Sequence, residues 1–151
     1  MKEFASVNDI LDFAIEQEQE AVDFYTKLSE KVENESMKKN FIQFAHEEMG
    51  HKAKLIDVKQ NGFFEMTSEK IADLKIADYI VKSRTGPNMT YQDALILAMN
   101  KEKASFKLYT NLSEKAPNSE LKNLFQMLAQ EESKHKLRFE IEYDEHILRE
   151  N

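Results

Sequence analysis

Two short segments of the chain, Glu48-Met49-Gly50-His51 and Glu132-Ser133-Lys134-His135, share the order Glu-x-x-His. On a helix, residues three apart lie on one face about one turn along, so each pair can aim a carboxylate and an imidazole at a single point. Each pair is preceded 30 positions earlier by another glutamate, Glu18 before Glu48 and Glu102 before Glu132. A lone Glu-x-x-His on a charged helix more often marks a solvated face. The doubled set reverses that balance and suggests one metal site built by four helices.

The chemistry follows from charge. A buried ionised carboxylate costs several kcal/mol even after relaxation, so four together need compensation. Two divalent ions would balance four carboxylates and leave both imidazoles neutral and free to ligate. Ligation dominated by oxygen, with one nitrogen per ion, suits iron or manganese, and zinc stays open on ligand type alone. The expected roles are Glu18 and Glu102 as terminal ligands, Glu48 and Glu132 as bridges, and His51 and His135 as one nitrogen ligand each. Tyr25 and Tyr109 lie two turns beyond the terminal glutamates on the same face. They either hydrogen-bond to ligating carboxylates from behind or serve as core tyrosines that use another acceptor.

Four helices must position these groups. Ser6-Val7-Asn8-Asp9 reads as a variant capping box, after which Leu11, Ala14, Ile15, Glu18, Val22, Tyr25 and Leu28 mark one face of a helix running to about Glu33. A polar turn at Asn34 to Ser36 leads to a second helix, with Met37, Phe41, Phe44, Ala45, Glu48, Lys52 and Leu55 on its stripe and Gly62 as its stop. Residues 62 to 90 form the longest connection, with a helical stretch expected from Ser68 to Lys82 and a breaker at Thr85-Gly86-Pro87-Asn88. Thr90-Tyr91-Gln92-Asp93 repeats the capping signal, and Leu95, Ala98, Met99, Glu102, Phe106, Tyr109 and Leu112 line the third helix. After Ala116-Pro117-Asn118 comes the fourth, with Leu121, Phe125, Leu128, Ala129, Glu132, Lys136 and Phe139.

The second half repeats the first at an offset of 84 positions without a gap. Ser6/Thr90, Asp9/Asp93, Glu18/Glu102, Tyr25/Tyr109, Phe41/Phe125, Glu48/Glu132 and His51/His135 all align, and Leu28-Ser29-Glu30-Lys31 recurs as Leu112-Ser113-Glu114-Lys115. An internal duplication of a helical hairpin follows. Glu18 lies 16 residues before Asn34 and Glu48 lies 14 after it, and Glu102 and Glu132 flank Asn118 in the same way. At about 1.5 Å per residue the arms of each hairpin differ by only about 3 Å, so all four glutamates should share one height. The expected fold is all-α, one domain over residues 1–151, with a long crossover that makes the second and third helices parallel.

Composition narrows the function. Three Gly, two Pro and 32% charged residues favour long helices, and the net charge of -7 argues against nucleic acid or an anionic membrane as partner. Cysteine is absent, which excludes disulfides, thiolate catalysis and cysteine-ligated iron within these residues. The first eleven residues include Glu3 and Asp9 and lack an apolar signal core, and no run approaches the roughly 20 apolar residues of a membrane span, so a cytoplasmic location is expected. His46 and His146 read as surface residues. Glu16, Glu20, Glu47 and Glu131 read as solvated, with the last two nearest the site.

Ala14-Ile15-Glu16-Gln17-Glu18, Phe24-Tyr25, Glu47-Glu48-Met49-Gly50-His51, Glu102 to Tyr109 and Glu131-Glu132-Ser133-Lys134-His135 resemble the helix signatures of the rubrerythrin branch of the ferritin-like superfamily. The resemblance covers nearly the whole chain and implies a ferritin-like four-helix bundle. It implies a non-haem centre of two iron ions that reacts with hydrogen peroxide or dioxygen, and a homodimer. Rubrerythrins proper add a rubredoxin domain with four cysteines; none occurs here, so a separate electron-donor protein is expected. They also carry a further glutamate near Glu102 for a redox-linked iron shift, where Lys103-Ala104-Ser105-Phe106 offers no carboxylate. The leading expectation is an oxidoreductase that reduces peroxide or dioxygen. Its alternatives are a ferroxidase or iron-handling protein, a metal-loaded sensor without turnover, and a bundle with no physiological metal.

Overall fold

The computed structural model describes residues 3–62, 64–81 and 89–148, and every regular element among them is helical. The long helices are α1 (Val7–Lys31) and α2 (Glu35–Asn61), then, after a short α3 (Ser68–Asp73), α4 (Tyr91–Lys115) and α5 (Ser119–Tyr143). A 3-10 turn at Ile76–Asp78 follows α3, and a π-helical turn at Asp144–Leu148 ends the described chain. The molecule divides into two compact units, one holding α1 and α2, the other α4 and α5 for all but the last residue of α4.

Local chemistry sets the helix ends. Ser6 Oγ accepts from Asp9 N–H while the Asp9 carboxylate accepts from Ala5 N–H. Thr90 and Asp93 make the reciprocal pair at the start of α4. Asn34 and Asn118 cap α2 and α5 identically, each accepting from the N–H three residues on. Such a bond satisfies a donor that the helix itself cannot. Gly62 ends α2 at φ +66°, the left-handed conformation that costs a side chain least when the side chain is absent.

In the first unit α1 and α2 run antiparallel. Asp12 near one end of the pair meets Lys59, Glu18 meets His51 in the middle, and the Tyr25 ring stacks on Phe41 near the connecting turn. The second unit repeats the arrangement: Tyr91 meets Glu142, Glu102 meets His135, and Tyr109 stacks on Phe125. The two stackings are near copies, with centroids 6.3 and 6.4 Å apart and planes tilted by 13° and 14°. Buried Ser29 and Ser113 also match, each donating its hydroxyl to the carbonyl three residues back. The duplication read from the sequence is therefore present in the packing.

Some expectations need correction. The first helix ends at Lys31, two residues before the expected limit, because Val32 leaves helical dihedrals. The stretch expected to be helical from Ser68 to Lys82 is α3 of six residues followed by the 3-10 turn; Leu74 leaves helical dihedrals, and it and Ile76 bury their side chains. Lys82 and the breaker at 85–88 lie outside the described residues. Of the stripe residues, Ile15 and Met99 are half-buried and Phe106 is 41% exposed, although its counterpart Val22 is buried.

Candidate metal centre

Each unit buries two carboxylates and one imidazole at mid-height. In the first, Glu18 projects from the centre of α1 while Glu48 and His51 sit one turn apart on α2. In the second, Glu102 projects from α4, and Glu132 and His135 from α5. All four glutamates are 1% exposed, and the two histidines 2% and 3%. Only Ser29, Ser113 and Glu142 join them among the described buried polar residues.

His51 Nδ1 lies 3.5 Å from Glu18 Oε2 and 3.6 Å from Glu48 Oε1, and His135 Nδ1 lies 3.5 Å from Glu102 Oε1. These separations are long for hydrogen bonds. They match neighbouring donors on one metal ion: ligands about 2.1 Å from an ion and about 110° apart are roughly 3.4 Å from each other. One ligand atom from each of Glu18, Glu48 and His51 lies within 4.8 Å of the other two, and the same holds for Glu102, Glu132 and His135. Charge agrees with geometry. A protonated imidazole could neutralise only one of the two carboxylates in its set, whereas a divalent ion balances both and leaves the imidazole neutral, as ligation requires. The donor set in each unit therefore fits one divalent ion.

The surroundings are apolar. Tyr25 and Tyr109 are fully buried, and Tyr25 has Phe41 stacked on it and Phe44 edge-on. Glu47 and Glu131 are half-buried, whereas Glu16, Glu20 and His46 are exposed. Directly after His51, Lys52 Nζ donates to Gln19 Oε1 at 2.6 Å and ties α2 to α1 beside the ligand set.

One buried group carried no sequence signal. Glu142, 1% exposed, accepts a short 2.6 Å hydrogen bond from the Tyr91 hydroxyl, and its other oxygen lies 3.2 Å from His146 Nε2. The matched position in the first half is Val58, so the duplication points to an apolar residue there. His146 is half-buried as a result, not a fully solvated surface residue. Glu145 completes a third group with metal-ligand spacing. Here Tyr91 and His146 already engage both oxygens of the buried carboxylate. Burial, then the hydrogen bond to Glu142 and its charge, push the Tyr91 phenol well above its ordinary 10.0, against an opposing pull from Arg138.

No helix among the described residues is long and apolar enough to cross a membrane. No match was found among curated protein sequences. Two solved structures share the fold. One is a candidate ferritin-like diiron-carboxylate protein of Thermotoga maritima, 23% identical, with a TM-score of 0.76 over 97% of this chain and 99% of that one. The other is a hypothetical protein from Pyrococcus furiosus, 26% identical, with a TM-score of 0.69 over 89% of this chain and 86% of that one. The fold is thus all-α and ferritin-like. The rubrerythrin family model matches residues 9–143, the span that contains the Glu and His side chains of both ligand sets, and the chain belongs to the rubrerythrin family.

Proposed function

We propose that Glu18, Glu48, His51, Glu102, Glu132 and His135 together hold two iron ions, and that the protein is an oxidoreductase reducing hydrogen peroxide or dioxygen with electrons from a separate donor protein. The observation that carries this reading is the burial, in each unit, of two carboxylates and one imidazole whose ligand atoms lie within 4.8 Å of one another. Bound there, ferrous iron would supply the two electrons that, with two protons, convert one peroxide to two waters.

The chain's own residues do the rest. Four carboxylates set the charge of the site and favour cations of hard character, while each Nδ1 supplies the nitrogen donor. Glu48 and Glu132, each one turn from its histidine on the same helix, would each share an ion with that histidine. The buried, stacked pairs Tyr25–Phe41 and Tyr109–Phe125 lie between the ligand set and the connecting turn of each hairpin, and an apolar interior of this kind strengthens electrostatic interactions inside it. The Tyr25 and Tyr109 phenols are the proton-bearing groups on the same helical faces as Glu18 and Glu102, suited to hold a carboxylate in orientation.

Metal analysis of protein purified without oxygen, followed by stopped-flow mixing of the reduced form with peroxide, tests the proposal. Oxidation much faster than that of free ferrous iron is expected, and oxidation no faster would sink it. Repeated cycles with added reductant should give many turnovers, whereas a single oxidation would point to a sensor.

A further inference from the structure

The two hairpins match closely inside and diverge on one outer face. In α1, Asp12, Glu16, Gln19 and Asp23 follow one another at helical spacing along the side next to α2. Two of them close the seam between the helices, through the Asp12–Lys59 ion pair and the Gln19–Lys52 hydrogen bond. In α4 the positions 84 further on are Ile96, Asn100, Lys103 and Lys107, all exposed. The three acids have become an isoleucine, an asparagine and a lysine, and Gln19 a second lysine, so the stripe changes from three negative charges to two positive ones.

The partners across the seam have changed too. Lys59 and Lys52 are matched by Tyr143 and Lys136, so the register of the first hairpin sets Lys103 opposite Lys136. Lys136 turns along its own helix to Glu140 instead, at 2.8 Å. Beside the lysines two large apolar side chains face water, Ile96 at 39% exposure and Phe106 at 41%. Neither is accounted for by the hairpin's own core. Lys103 directly follows Glu102 and Lys136 directly follows His135. A protein seated here would stand about one helix diameter, roughly 10 Å, from the ligand set of that unit.

We propose that this face of α4, with Lys103 and Lys107 flanking Phe106 and Ile96, is the docking surface for an acidic electron-donor protein. The inference rests on the oxidoreductase reading, which requires two one-electron donors to be oxidised for each peroxide reduced. Charge complementarity selects the partner. A chain with net charge -7 repels acidic proteins at long range, so productive encounters with one must use a local basic patch around an apolar contact.

The test titrates the oxidised, iron-loaded protein with oxidised plant-type ferredoxin, an acidic iron–sulfur protein, so that no electron moves. Binding is expected to weaken as salt rises and to fall about tenfold when Lys103→Gln and Lys107→Asp restore the residues that α1 carries. Lys103→Arg with Lys107→Arg should keep it, and basic cytochrome c should not bind at this face. The same Gln/Asp variant should slow reduction by reduced ferredoxin and leave reduction by dithionite unchanged. Absent binding by the wild type, or equal binding by the neutralised variant, overturns the docking surface. Binding as expected with no reduction by either donor supports the surface and overturns the electron-transfer reading.

Discussion

At the scale of single residues, burial of like charges dominates. Glu48 sits 1% exposed beside His51, with Glu18 facing the same imidazole. Glu48→Gln keeps the shape and removes one charge, so metal content should fall from about two ions per chain while the metal-free protein becomes more stable. Metal analysis and urea denaturation of the apo form read the two halves, and a destabilised apo variant would contradict the charge argument. Tyr25→Phe separates two roles. If the phenol orients a ligating carboxylate, metal affinity should drop about 10–100-fold; a purely structural tyrosine would leave affinity alone. Tyr91 makes a pH prediction. Its phenol is held above the ordinary 10.0, so between that value and the folded value the native state keeps a proton that the unfolded chain has lost. Stability from this group is therefore full below pH 10 and declines as pH rises above it. Tyr91→Phe should flatten the alkaline limb of a stability-against-pH curve, and an unchanged limb would show that the group does not control it.

At the scale of elements, the helices are delimited by caps and held by one stripe each. Asn118 accepts from Leu121 N–H at 2.9 Å, and Asn118→Ala should cost about 1 kcal/mol in urea denaturation, since an orphaned helix N–H loses its acceptor. A loss below a few tenths would mean that solvent replaces the cap fully. Ser6, Thr90 and Gly62 were legible in advance as helix ends, whereas Asn34 and Asn118 read only as turn residues and the structure makes them caps; all five are local chemistry, decided within four residues. The connection was less legible. Ser68 onward has helical composition, but the burial of Leu74 and Ile76 breaks it after Asp73, and that burial depends on residues distant in sequence.

At the scale of the whole molecule, two hairpins with matched interiors bury six ligand-type side chains, and metal should be linked to folding. At free metal about 100 times its dissociation constant, binding adds about 2.7 kcal/mol, so chelation should lower the Tm by roughly 5–10 °C for a domain of this size. A melting temperature indifferent to chelator would leave the buried carboxylates without their proposed counter-ions.

The sequence by itself determined the four long helices, the end signals at Ser6, Thr90 and Gly62, the duplication and the paired spacing of the six Glu and His residues, because each is a matter of helical period and of spacing counted along one chain. Only the tertiary structure decided which stripe positions are covered, that Phe106 faces water while Val22 does not, and that Glu142 is buried against Tyr91 and His146. Periodicity tells which residues share a face; what lies against that face is a property of packing between segments distant in the chain, and a cross-helix partner 51 residues away leaves no mark in local spacing.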